Sequence, residues 1–327
     1  MKTPRFWYRP RGAAATVLAP LGQVYDAAGR LRRSLANPHR AGIPVICVGN
    51  LVAGGAGKTP VAIAIVRHLK QRGVDAHFLT RGYRGREKGP VRVDLARHDA
   101  RAVGDEPMLL AAVAPTWVAR DRARGAAAAE AAGAAAIVMD DGFQNPRLAK
   151  DLSFLVVDGE VGFGNRQVIP AGPLRETARG GLARATAVIV MGDDRHGIGV
   201  EAAARGLPVL HGRLRPAGRT DWLRGSAVVA FAGIARPDKF FDTLKALGAR
   251  LVADFGYGDH HRFRPDEIMQ MADLAGAAGA LLVTTAKDYA RLPDEARPMV
   301  KVLAVEVAWA DEAALARILE PVLRHGE

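Results

Sequence analysis

Cysteine is nearly absent: Cys47 stands alone in 327 residues, so an internal disulfide, a disulfide-stapled scaffold and a thiolate zinc cluster are all excluded. The fold is therefore compatible with a reducing compartment. Aromatic residues are scarce at 6%, but a 49% hydrophobic content is enough for real cores. The 36 glycines and 19 prolines are dispersed, which excludes collagen, coiled coil and disorder. Long apolar runs are missing too. The longest early stretch, residues 12–25, lies between Arg11 and Asp26 and falls short of the ~18 residues that a membrane-spanning helix needs. No small-residue cleavage site follows it, so a signal peptide is not indicated. Lysine is also rare: nine lysines leave most of the positive charge to arginine.

The net charge of +12 is unevenly placed. Residues 1–40 hold eight basic side chains (Lys2, Arg5, Arg9, Arg11, Arg30, Arg32, Arg33 and Arg40) against one acid, Asp26, so seven of the twelve charges sit there. The rest of the chain is only mildly basic, which gives little support to a nucleic-acid partner. Within this basic segment Val17, Leu18, Leu21, Val24, Tyr25, Ala28, Leu31 and Leu35 recur at helical spacing, with Phe6, Trp7 and Tyr8 at one end and Arg30, Arg32 and Arg33 at the other. That pattern predicts a helix lying in a membrane interface, the alternative being an amphipathic helix packed on the protein.

At 327 residues the chain exceeds the usual ~100–200 residues of one domain. After Pro44, short β-rich runs alternate with alanine-rich or amphipathic stretches, the pattern of a parallel sheet covered by helices. Strands are predicted at Val45–Val48, Ala76–Thr80, Val91–Asp94, Trp117–Ala119, Ala136–Met139, Phe154–Val157 and Val188–Met191. The alternation pauses around Gly206 to Arg224, where a strand-like Val209–Leu214 is flanked by glycine and proline, and restarts at Val228–Phe231. Strands Leu251–Phe255, Leu281–Thr285 and Val302–Val307 and helices at 237–247, 265–278 and 311–323 follow. The predicted division is an N-terminal interface helix (1–40), a first α/β domain (41–205), a linker (206–225) and a smaller α/β domain (226–327).

The chemistry-bearing motif follows the first strand. Gly54-Gly55-Ala56-Gly57-Lys58-Thr59 lies between Val45–Val48 and an apolar helix. Glycines let successive backbone N–H groups face an anion, the helix N-terminus adds partial positive charge, Lys58 can reach the β- and γ-phosphates, and Thr59 can ligate Mg²⁺. Val52 stands where the usual G-x-x-x-x-G-K-[ST] pattern has glycine, so the loop is a variant. Asp140 and Asp141, ending the apolar run Ala136–Met139, are the acidic partners such a loop requires for Mg²⁺. Ala53 replaces the lysine of the deviant-loop partitioning ATPases, and Thr285-Ala286-Lys287-Asp288 has the wrong spacing for guanine recognition. A kinase also needs a base near its acceptor, and Gly104-Asp105-Glu106-Pro107 and Gly258-Asp259-His260-His261 are the conspicuous sources.

These segments resemble the tetraacyldisaccharide 4'-kinases of lipid A biosynthesis along nearly the whole chain. The resemblance also includes Thr80-Arg81-Gly82-Tyr83, Asp140-Asp141-Gly142-Phe143-Gln144, Phe163-Gly164-Asn165, Pro170-Ala171-Gly172-Pro173-Leu174-Arg175-Glu176 and Lys287-Asp288. It implies a P-loop NTPase-like α/β/α domain, a second, smaller α/β/α domain joined by a β-linker, and ATP-dependent phosphorylation of an acylated glucosamine disaccharide at the cytoplasmic face of the bacterial inner membrane. It further implies that Asp105, positioned or polarised by His260, accepts the acceptor proton. Lys58 would neutralise the transferred phosphate, Thr59, Asp140 and Asp141 would hold Mg²⁺, and Val52, Ala53, Gly54, Gly55, Ala56 and Gly57 would cradle ATP. Arg175 and Glu176 would sit on a mobile segment near the nucleotide. Asn145 and Ala286 depart from the family pattern, at positions assigned to neither metal nor proton chemistry. Two competing classes are a soluble P-loop enzyme acting on a small carboxylic or nucleotide substrate and a membrane-recruited ATPase working on a protein partner.

Overall fold

The computed structural model describes residues 4–324, so Lys2 and the last three residues lie outside it. Thirteen strands are formed: β1 (Val45–Gly49), β2 (Ala76–Thr80), β3 (Val91–Arg92), β4 (Thr116–Val118), β5 (Ala136–Asp140), β6 (Leu152–Asp158), β7 (Ala187–Met191), β8 (Val209–Pro216), β9 (Ala227–Ala232), β10 (Arg250–Gly256), β11 (Leu281–Thr285), β12 (Val300–Leu303) and β13 (Val305–Trp309). Nine of them make one sheet in the order β13-β8-β7-β6-β1-β5-β2-β4-β3, parallel except for its two outermost pairs. The other four make a parallel sheet in the order β10-β9-β11-β12.

Central strands β1, β2, β5 and β7 are buried along their whole length, as expected where helices cover both faces. Side chains alternate between those faces. Ile46 and Val48 join a core with the helices Lys58–Lys70 and Glu312–Leu323, whereas Val45 and Cys47 point into a second core with Ala126, Ala129, Leu182 and Ile198. The smaller sheet repeats this arrangement. Val228, Ala230 and Ala232 of β9 face the helix Pro237–Ala246, and Val229 and Phe231 face Pro265–Ala277.

The structure corrects the division of the chain in two places. Segment 206–225 is not simply a linker, because β8 within it pairs with β7 and β13 in the large sheet. The run Val302–Val307, read as one strand, is two: β12 belongs to the small sheet, the chain crosses at Ala304, and β13 returns antiparallel to β8 in the large one. Helix Glu312–Leu323 then buries Leu315, Leu319 and Val322 in the large unit's core. The smaller unit is therefore an insertion between β8 and β13. The ribbon of these two strands continues to the crossing, where Ala217 N–H donates to Ala304 O at 2.9 Å.

A 22-residue helix, Ala13–Ser34, packs on the large unit through its small residues Ala15, Ala19 and Gly22. A Cβ at Gly22 would lie 2.7 Å from the Val168 carbonyl oxygen, so only glycine permits this approach. Its large apolar residues point the other way: Val17 is 77% exposed, Leu21 58%, Val24 68% and Leu35 77%, with Leu18 half-buried. Among the described residues no helix is long and apolar enough to cross a membrane.

Candidate active site

The strand order turns at β1, with β5 on one side and β6 on the other, and ligands of open α/β sheets bind beyond the carboxyl ends of strands at such a point. The glycine loop leaves β1 here. Gly57, in the left-handed region at φ +81°, caps the helix that begins at Lys58, a conformation costly for any residue with a Cβ. Gly54 and Gly55 are exposed. The loop is tied down from behind: Ala53 N–H donates to Pro173 O (2.8 Å), Arg175 N–H donates to Leu51 O (2.7 Å), and half-buried Val52 forms a bridge with Leu174. The helix's first-turn N–H groups are left to face an anion.

Both carboxylates predicted beside this loop are there, and their environments differ. Thr59 Oγ1 donates to Asp140 Oδ2 at 2.8 Å, while Asp140 Oδ1 is buried with no hydrogen-bond partner. Burial pushes the Asp140 carboxyl up to about 7, with Lys58 and the Thr59 hydroxyl opposing the rise only in part. Asp141, at φ +55°, receives Arg175 Nη1 at 2.8 Å and lies 3.9 Å from Lys58 Nζ. Although burial raises it, Lys58 and Arg175 hold its carboxyl below the ordinary range. A buried carboxylate oxygen without a partner, next to a threonine hydroxyl, is a hard-oxygen donor set that suits Mg²⁺.

A second cluster joins the two units across 155 residues of sequence. Asp105 opens the helix Asp105–Ala111 of the large unit, and its Oδ2 lies 2.8 Å from Nδ1 of His260, in the small one. An ionised carboxylate only accepts, so Nδ1 carries the hydrogen. Burial alone would raise the Asp105 carboxyl, but the His260 hydrogen bond and the charges of Lys287 and Arg291 hold it well below the usual carboxylate range. Lys287 Nζ lies 3.0 Å from Glu106, 3.4 Å from Asp259 and 3.4 Å from His260 Nε2. Burial disfavours its ammonium, yet the three carboxylates Glu106, Asp259 and Asp105 raise its pKa. The Tyr83 ring meets His260 edge-on at 5.6 Å, and Arg84 donates to the His260 carbonyl. His261 instead bonds Glu267 at 3.1 Å.

Glu176, expected near the nucleotide, is held beneath the start of the glycine loop. It is 1% exposed, and its oxygens are taken by Arg184 at 2.8 Å to each, by Gln144 at 3.1 Å and by Arg33 of the N-terminal helix at 3.4 Å. Gln144 also donates to Asn50 O at the start of the glycine loop, so Glu176 works as an internal strut. The neighbouring Thr177 N–H donates to buried Asp26 of the same helix. Arg291 escaped the sequence reading altogether. Its i,i+3 spacing to Asp288 was the only signal available.

Several ion pairs close the units over the loop. Arg236, capping the helix Pro237–Ala246, pairs with Asp158 and with Glu160, which also binds Lys239 at 2.7 Å. A Cβ placed on Gly55 would lie 3.5 Å from that of Ala235.

A family model described as tetraacyldisaccharide-1-P 4'-kinase matches residues 14–324. The chain is 55% identical to a protein of Rhodospirillum centenum named tetraacyldisaccharide 4'-kinase, over 99% of this chain and 97% of that one. A protein of the same name from Paramagnetospirillum magneticum is 52% identical over 98% and 99% respectively. Among solved structures, LpxK from Aquifex aeolicus, crystallised in complex with ATP, superposes with a TM-score of 0.77 at 25% identity, covering 94% of this chain and 99% of that one. With the family model matching almost the full length, the chain belongs to the tetraacyldisaccharide-1-P 4'-kinase family.

Proposed function

We infer that this chain is an ATP-dependent kinase that phosphorylates the 4'-hydroxyl of an acylated glucosamine disaccharide 1-phosphate. The observation that carries the reading is that two sets of groups lie near each other, close enough for Glu106, beside Asp105, to act on the Asp140 carboxyl. One set is the glycine loop with Lys58, Thr59, Asp140 and Asp141, suited to a triphosphate; the other is a carboxylate–imidazole pair, suited to a hydroxyl acceptor.

In this reading the loop's N–H groups and Lys58 take the growing charge on the transferred phosphoryl group. Thr59, Asp140 and Asp141 would hold Mg²⁺, which when bound neutralises charge on the phosphate oxygens. Asp105, fixed by His260, accepts the 4'-hydroxyl proton as the new oxygen–phosphorus bond forms and the bond to ADP breaks. A carboxylate held so well ionised is a weak base, but phosphoryl transfer asks the protein mainly for position and charge. Arg175, now on Asp141, is placed to move to the nucleotide.

The N-terminal helix supports contact with a lipid leaflet. An ordinary packed helix buries its large apolar residues, whereas here Ala15, Ala19 and Gly22 face the protein while Val17, Leu21 and Val24 face out. Such a stripe needs another apolar phase, and flanking arginines suit an anionic surface. We place the enzyme peripherally on the cytoplasmic face of the inner membrane, where ATP and the lipid acceptor meet. The deciding experiment is transfer of labelled γ-phosphate from ATP to a purified disaccharide-1-phosphate lipid in detergent micelles. A phosphorylated lipid is expected. ATP turnover with no lipid product would favour an enzyme acting on a small soluble acceptor.

A further inference from the structure

We infer that Arg291 is a positioning residue for the Asp105–His260 pair: it fixes the turn that carries His260 and sets a positive charge against Asp105 without occupying that carboxylate's hydrogen-bonding capacity. The inference rests on the kinase reading and adds to it a residue from the second unit.

Its hydrogen bonds can be counted against its five N–H groups. Nε donates to Lys287 O (3.1 Å), Nη1 to Gly233 O (3.2 Å) and His261 O (3.0 Å), and Nη2 to Gly233 O (3.1 Å), while Nη2 also pairs with Asp288 Oδ1 at 2.9 Å. The single N–H of Nε is spent on Lys287. Nε nevertheless lies 3.3 Å from Asp105 Oδ2, so Arg291 acts on that oxygen by charge alone and His260 Nδ1 is the group that donates to it. Arg291 therefore takes up none of the acceptor sites of Asp105.

The same bonds hold the His260 backbone. His260 sits at φ +61°, a left-handed conformation that costs a non-glycine residue about 1–3 kcal/mol and persists only where its surroundings enforce it. Gly233 supplies the enforcement: its carbonyl accepts from His260 N–H at 3.0 Å and from two nitrogens of Arg291, while its N–H donates to Asp288. Asp288, fully buried, is steadied in turn by the Thr285 hydroxyl at 2.6 Å. Lysine could supply the charge at position 291 but not the fork that binds three carbonyls and pairs with Asp288. The charged groups around the pair are Glu106 on the helix of Asp105, Asp259 and Arg84 on loops, and Lys287, Asp288 and Arg291 on and after the helix Ala286–Tyr289.

Arg291→Lys and Arg291→Met separate fork from charge in the full-length enzyme, assayed with ATP and the disaccharide-1-phosphate lipid. Both variants are expected to lower kcat at least thirtyfold and leave KM for ATP within threefold. Because Arg291 acts through Asp105, neither substitution should lower kcat much further in an Asp105→Asn background. Wild-type kcat in a folded Arg291→Lys, or full multiplicative losses when either substitution is combined with Asp105→Asn, overturns the inference. If neither variant folds, Thr285→Val, which removes only the hydroxyl steadying Asp288, must lower kcat at unchanged KM, and an unaffected kcat overturns the inference equally. A wild-type enzyme that phosphorylates no lipid refutes the functional reading itself.

Discussion

Replacing Asp140 by asparagine should abolish turnover yet stabilise the metal-free protein at alkaline pH. Asp140 Oδ1 is buried without a partner, and the carboxyl titrates at about 7 in the fold against an ordinary 3.8. Between those values the native protein retains a proton that the unfolded chain has released. A raised carboxyl pKa thus contributes stability that is fully present below pH 3.8 and is lost as pH climbs through about 7. A shift of some three units at 1.36 kcal/mol each sets a ceiling of about 4 kcal/mol on the loss. Asparagine keeps an oxygen for the Thr59 hydroxyl and has no charge to bury. In EDTA the variant's advantage over wild type should therefore grow from about 1–2 kcal/mol at pH 5 to a few kcal/mol at pH 8. Mg²⁺ should then raise the wild-type midpoint at pH 8 and leave the variant's nearly unchanged. The opposing contribution of Asp141, whose carboxyl is lowered, is lost only as pH falls below the ordinary carboxylate value and does not enter this window. A variant no more stable than wild type at pH 8 in EDTA would refute the reasoning.

Lys58→Ala and Asp105→Asn should both abolish lipid phosphorylation, the first with a large loss of ATP affinity by calorimetry and the second with affinity nearly intact; a general base contributes about 10²–10⁴-fold, and equal losses of ATP binding would move Asp105 into the nucleotide shell. His260→Ala should cost less than Asp105→Asn, and combining them should add little, since both act through one proton; strictly multiplicative losses would separate their roles. Leu21→Asp with Val24→Asp should release the protein from anionic vesicles at high salt while leaving its melting temperature and ATP affinity unchanged, and a doubly substituted protein that still sediments with vesicles would put the membrane contact elsewhere.

The parts of the site written locally were the readable ones. Gly57-Lys58-Thr59 follows a strand and opens a helix, and Asp140-Asp141 ends an apolar run, so adjacency in sequence carried the geometry. The segments of Asp105 and His260 stood out as sources of a base, but their pairing came from a family resemblance; nothing in local spacing could bring together residues 155 positions apart. Periodicity showed that Val302–Val307 is extended, but a strand's partner is chosen by distant edges, and the switch at Ala304 leaves no mark in composition. Glu176 shows the converse. A glutamate beside the loop invites a ligand role, and nothing in the sequence points to Arg33 and Arg184, which pair with it in the fold. For the N-terminal helix, sequence identified the apolar stripe, whereas which face meets the protein depended on Gly22 lying against Val168.

Because the smaller unit is inserted between β8 and β13, it hangs from two tethers that are hydrogen-bonded to each other up to Ala217 and Ala304. A single covalent tether would let it swivel freely. A paired ribbon resists twist and lengthwise slip, since either breaks ladder bonds, and leaves flexing across its own plane as the soft motion. The ribbon therefore holds His260 and Arg291 to one line of approach to Asp105. One residue inserted in β13 would slip its ladder with β8 by a strand step of about 3.3 Å. That exceeds the 2.8 Å separation at which Asp105 and His260 meet, so their alignment depends on a strand register far from them.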